Sequence, residues 1–105
     1  MSPVSHNRKK DMETLLDAEQ IRLTSQVRFR AVGEEGVLVH LENGRVIVVN
    51  EVGLFLVQQL ASPVTRPELA RAVTREFAVS ADRVQADLQL YLEELDREQV
   101  IEYST

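Results

Sequence analysis

The run Leu41-Glu42-Asn43-Gly44-Arg45-Val46-Ile47-Val48-Val49-Asn50 constrains the fold more than any other part of the chain. Asn-Gly tolerates positive φ in a tight turn, and a β-branched run follows it at once, so the spacing predicts a hairpin. Asn50 then reads as a helix N-cap, with Glu51 in the first turn to complement the helix dipole. The residues that follow, from Val52 through Leu54-Phe55-Leu56-Val57 to Leu60, make that helix apolar nearly all round, which places it in the middle of a fold. Val46 to Val49 show no polar face either, so both faces of that strand are expected to be covered.

The flanking segments extend the same pattern. Val27, Phe29 and Ala31 alternate with Arg28 and Arg30, the period of a strand with one buried face. Gly33-Glu34-Glu35-Gly36 supplies a turn, and Val37, Val39 and Leu41 alternate with Leu38 and His40 in a second strand; Arg45 to Val49 is the third. Beyond the apolar helix, Thr65-Arg66-Pro67-Glu68 forms a capping box that opens a second helix, with Leu69, Ala70, Val73 and Phe77 on one stripe and Arg71, Arg75 and Glu76 on the other face. Ser80 caps a longer third helix, whose Val84, Leu88, Leu92 and Leu95 recur at steps of four, four and three. Val100, Ile101 and Tyr103 are expected to close the domain as a short extended tail. The fold class is therefore α+β, a three-stranded antiparallel sheet followed by three helices, in one domain over residues 26–103. Residues 1–25 form an arm, polar and basic up to Lys10, with one or two helical turns expected between Asp11 and Leu23 from Met12, Leu15, Leu16 and Ile21. Gly53, inside the first helix, is expected to let that helix approach the sheet closely.

Composition removes several kinds of chemistry. The chain has no cysteine, which excludes disulfides and thiolate metal sites and suits a reducing compartment, so the cytoplasm is the expected location. No stretch approaches a membrane span, and the polar start lacks the apolar core of a signal peptide. The two histidines, His6 and His40, lie far apart in sequence, and His40 reads as a packing residue. Glu93, Glu94, Asp96 and Glu98 point in different directions around a helix, so neither metal nor cofactor is expected. Ser62, Ser80 and Ser104 fall in a loop, a cap and the terminus, without the base a nucleophile needs. The glycines stand singly and form no phosphate-binding loop. An enzyme is therefore not expected. The net charge of −5 is unevenly spread: both lysines are Lys9 and Lys10, whereas Ala81 to Thr105 carries seven carboxylates against Arg83 and Arg97. An acidic third helix is ill suited to a phosphate backbone and better suited to a basic partner segment.

The hairpin with Asn50 and Gly53 at the helix start, followed by Val84, Asp87, Leu88, Leu92 and Leu95, resembles the PqqD-like family of RiPP recognition elements over Val27 to Ile101. The resemblance implies a winged-helix-like domain that binds the leader segment of a precursor peptide as an added strand and presents it to a modifying enzyme such as a radical-SAM protein or a peptidase. The peptide edge would then be Arg45, Val46, Ile47, Val48 and Val49. The facing wall would be Arg83, Asp87, Leu90, Tyr91 and Glu94, with the carboxylates pairing basic leader residues and the Tyr91 ring packing on an apolar one. An exposed edge also leaves strand exchange between two copies, or cover by the arm, open to such a chain. Two competing readings are a winged-helix DNA-binding regulator and a scaffold subunit bridging two enzymes.

Overall fold

The Asn-Gly hairpin forms as its chemistry dictates, with Gly44 at φ 72° in the left-handed region. In a computed structural model, which describes residues 19–104, the elements run β1 (Gln20–Leu23), β2 (Val27–Val32), β3 (Glu35–His40), β4 (Val46–Val49), α1 (Glu51–Gln59), β5 (Val64–Thr65), α2 (Arg66–Phe77), α3 (Ala81–Arg97) and β6 (Ile101–Ser104). β2, β3 and β4 make one antiparallel sheet in that order, and the three helices follow. Among the described residues no helix is long and apolar enough to cross a membrane.

The helices start where their caps put them. Asn50 Oδ1 accepts from the Gly53 amide at 2.9 Å and opens α1. Thr65 and Glu68 make the reciprocal capping box of α2, and Ser80 Oγ accepts from the Arg83 amide at the start of α3. α1 packs on β3 and β4 with one side and on α2 with another. The core forms around Leu56, Val57 and Leu60 of α1, Leu69 and Val73 of α2, and the expected α3 stripe of Val84, Leu88, Leu92 and Leu95, all buried.

A second sheet was not foreseen from the sequence. β1 lies between β5 and β6, pairing Ile21 with both Val64 and Tyr103, and Arg22 opposite Glu102, to which its guanidinium donates at 2.7 Å. Gln20–Leu23, expected to belong to the arm, is thus a strand whose partners lie far along the chain; four residues carry too short a local pattern to announce a non-local pairing. Ile21, expected in the helical turns between Asp11 and Leu23, lies instead on β1, while the part of that stretch up to Ala18 lies outside the described residues, as does His6.

The faces of the first sheet also correct the sequence reading. Register sets Gly36, Leu38 and His40 inward on β3, with Ile47 and Val49 beside them on β4, while Val37, Val39, Val46 and Val48 share the outer face with Arg28 and Arg30. Val46 and Val48 are 62% and 61% exposed, so β4 is covered on one face and not on both, because every helix that packs on this sheet lies on its inner side. The first hairpin is also tighter than expected: the strands run to Val32 and resume at Glu35, leaving Gly33 and Glu34 at the turn.

His40 is buried with both ring nitrogens engaged. Nε2 lies 3.0 Å from the Gln99 carbonyl oxygen, so it must donate, and Nδ1 accepts from the Glu42 amide at 3.3 Å. The ring therefore ties the β3–β4 hairpin to the turn after α3, where Gln99 adopts φ 62°.

Gly53 has the role expected of it: a Cβ there would stand 2.6 Å from Val49 Cβ, a backbone-anchored atom that cannot rotate away. Gly53→Ala is expected to destabilise the protein by about 1–3 kcal/mol in denaturant unfolding, despite alanine's better helix propensity. Acid stability is expected to depend on the capping box. The Thr65 amide, the Thr65 side chain and nearby Arg71 hold the Glu68 carboxyl below its ordinary 4.5. A lowered folded-state pKa contributes stability above the ordinary value and loses it as pH falls through the folded one. Thermal melts from about pH 6 to about pH 3 should therefore show a smaller acid-induced drop for Glu68→Gln than for the parent.

Candidate functional site

A hairpin strand at a sheet edge and a long amphipathic helix leave a groove between them wherever the helix packs with only one stripe. Here β4 is the edge strand: among the described residues it pairs with β3 alone. Facing it is the flank of α3 beside its buried stripe. Ile47, Val48, Val49 and Asn50 form one side of a groove of about 360 Å³, and Leu90, Tyr91 and Glu94 form the other. Leu90 is 64% exposed, a large apolar side chain left open on the groove wall.

Two contacts span the groove and fix its width. At one end Tyr91 Oη donates to Asn50 Oδ1 at 3.0 Å, so the oxygen that caps α1 also holds α3. At the other, Arg45 Nη2 lies 2.7 Å from Glu98 Oε1, tying the hairpin turn to the residue that ends α3. The floor is apolar and the α3 rim acidic. Such a groove can hold an extended chain, whose backbone would satisfy the free edge of β4 while its side chains lie against Leu90 and Tyr91. Among the described residues there is no group of three His, Asp or Glu side chains able to hold a metal ion.

The residues expected from sequence do not all meet in one place. Ile47, Val48, Val49, Leu90, Tyr91 and Glu94 converge on the groove. Val46, on the outer face with Val48 but one residue pair further from Asn50, does not line the groove, and Arg45 closes the groove end through its ion pair. Arg83 and Asp87 sit one to two turns further toward the start of α3, paired with each other at 3.5 Å, beside a separate pocket between the helices that Tyr91 also lines. Sequence reasoning missed Asn50 and Glu98 as groove residues. Glu98 was accessible, since it continues the Tyr91, Glu94 series by one further step of four. The second function of Asn50 was not, because its partner Tyr91 lies 41 residues away.

Tyr91→Phe removes one hydrogen bond at a partly solvated site without disturbing the Asn50 cap. It is expected to cost roughly 0.5–1 kcal/mol in chemical denaturation, with the Gly53 amide still protected from exchange.

The family described as Coenzyme PQQ synthesis protein D (PqqD) matches residues 35–101. No curated relative matches the chain in sequence. Two solved structures are similar to it. TbiB1 in complex with the TbiA(beta) leader peptide is 25% identical, with a TM-score of 0.71 over 77% of this chain and 94% of that one. The PqqD truncation of Methylobacterium extorquens PqqCD, described as a stand-alone RiPP recognition element, is 20% identical, with a TM-score of 0.65 over 79% of this chain and 88% of that one.

Proposed function

The chain belongs to the PqqD family, and from that premise we propose that it is a non-catalytic peptide-binding module, which takes the leader segment of a ribosomally made precursor as an added strand along β4 and presents it to a modifying enzyme. The observation that carries this reading is the edge of β4, unpaired among the described residues, set against the Leu90, Tyr91 and Glu94 flank of α3. The likeness to TbiB1, a protein seen with a leader peptide bound, supports it.

Backbone pairing along β4 would supply affinity for any extended segment, and the α3 wall would supply selection. Glu94 at the rim favours a basic residue in the peptide, while Leu90 favours an apolar one. The peptide edge is assigned to Arg45 through Val49 and the wall to Leu90, Tyr91 and Glu94, with Arg83 and Asp87 continuing the wall beyond Tyr91. All of this recognition surface falls within residues 26–103, and β1 serves the fold by pairing β5 with β6. By holding the leader, the module raises the effective concentration of the modifiable segment at its partner, a modifying enzyme such as a radical-SAM protein or a peptidase in the cytoplasm. Strand exchange between two copies would use the same edge and so exclude the peptide. Duplex DNA is disfavoured as a ligand by the acidic rim, and binding to it that weakens steeply with salt would count against the peptide reading.

The test is a titration of isotope-labelled protein with the N-terminal segment of a short peptide encoded beside it. Saturable amide shifts are expected on Arg45 to Val49 and along Leu90 to Glu94; shifts confined to other surfaces would sink the assignment. Leu90→Glu gives a sharper check. Because Leu90 is largely solvent-exposed, stability should change by less than about 0.5 kcal/mol, while affinity for the peptide should fall about tenfold or more.

A further inference from the structure

An antiparallel sheet with helices on one side only is expected to turn polar side chains to water on the other. β2 obeys this rule with Arg28 and Arg30, but β3 and β4 do not. Register sets two rows across the outer face, Arg28, Val39 and Val46 in one and Arg30, Val37 and Val48 in the other, each running from the β2 edge to the β4 edge. Val46 and Val48 stand open to solvent, and Val37 and Val39 are half-buried. α1 leaves this face bare because it packs on the inner side, where Leu54 meets Gly36. A contiguous apolar patch bordered by charge marks an interaction surface.

The charge at the border is cationic in a chain whose net charge is −5. Among the described residues neither arginine pairs with a carboxylate: Arg28 donates to the carbonyl oxygens of Ser25 and Val27, and the ion pairs lie elsewhere. A second copy of the chain is a poor cover, because two such faces packed together bring their arginines with them and offer only Glu35, opposite Val32, in return. With strands about 4.8 Å apart and alternate residues about 7 Å apart, the two rows cover on the order of 300 Å², against roughly 800 Å² per partner in a stable complex. The bare face is thus too small to hold a partner by itself. A strand added to β4 enlarges it. Its side chains alternate between the faces, so every second residue stands beside Val46 or Val48 and lengthens a row by one, while the others turn inward to the groove.

Resting on the peptide-binding reading above, we infer that the outer face of this sheet, extended by the outward side chains of the bound peptide, is the docking surface for the modifying enzyme, which meets it with an apolar patch bordered by carboxylates. The two faces of the added strand are then read by different proteins, the inward residues by α3 and the outward ones by the enzyme. The enzyme therefore holds the loaded module more tightly than the empty one, and by linkage it tightens the hold on the peptide by the same factor. Arg28 and Arg30 at the border steer the encounter and make it weaken with salt.

The experiment uses the full chain, the peptide titrated above and the modifying enzyme encoded beside it. Arg30→Glu and Val39→Glu lie outside the β4 edge and the α3 wall. Each is expected to bind the peptide alone within about twofold of the parent, with the Val46 to Val49 amides still shifting, which also shows that the variant is folded. The loaded parent should bind the enzyme about tenfold or more tightly than the empty parent, and each loaded variant should lose about tenfold or more of that affinity. Alanine substitutions along the strand-forming part of the peptide should split by alternate positions: one set weakens binding to the module, and the other leaves it unchanged but weakens the enzyme's hold on the complex. Loaded variants that bind the enzyme as the loaded parent does would overturn the docking surface and leave strand addition standing, and so would an enzyme that does not bind the loaded parent. Self-association of the parent alone that Arg30→Glu abolishes would overturn it too, by giving the face to a second copy. A peptide that does not shift the β4 amides of the parent would overturn the peptide reading, and the docking surface with it.

Discussion

Val49, the last residue of β4, lies so close to Gly53 in the first turn of α1 that there is no room for a methyl group between them. Everything that defines the groove depends on this contact. It sets β4 against the helix that occupies the middle of the core, and it puts Asn50 where its side-chain oxygen can accept from both the Gly53 amide and the Tyr91 hydroxyl. One short polar side chain thus ends a strand, starts a helix and holds a third element in place. A residue with a longer or an apolar side chain could do one of these things but not all three.

The groove is consequently preorganised, with its width held at both ends. Tyr91 and Asn50 fix one end, Arg45 and Glu98 the other, and His40 adds a buried link between the hairpin and the turn at Gln99. Ion pairs at this exposure contribute little to stability, so Arg45 and Glu98 matter for position more than for energy. The buried histidine is different in kind. Both its nitrogens are satisfied by backbone groups, and a side chain without two polar atoms in that geometry would forgo both links between the hairpin and the turn.

An unpaired edge strand with valines on its open face is the arrangement natural sheets usually blunt with charge, proline or cover. The described part of this chain does so only at the strand's margin, through Arg45. Retaining such an edge makes sense if something pairs with it in use, and the acidic α3 rim gives the pairing partner a preferred charge. The charge asymmetry of the sequence, with carboxylates gathered toward the C-terminal end, is in this sense expressed as a property of one wall of one groove.

The sequence determined the local elements almost completely, because each rests on short-range physics. Asn43-Gly44 made the turn, Asn50, Thr65 and Ser80 made the three helix starts, and the spacing of Val84, Leu88, Leu92 and Leu95 made the buried stripe of α3. Six of the residues it singled out lie along one groove between two elements. What it could not determine was which face of β4 is covered, that Gln20–Leu23 pairs with Ile101–Ser104 across nearly the whole chain, or that Arg83 and Asp87 flank a different cavity from Leu90 and Glu94. Those outcomes depend on register and on the angle at which α3 crosses the sheet. A pattern of period two or 3.6 states that an element has an inside, but only the packed molecule decides what lies against each side of it.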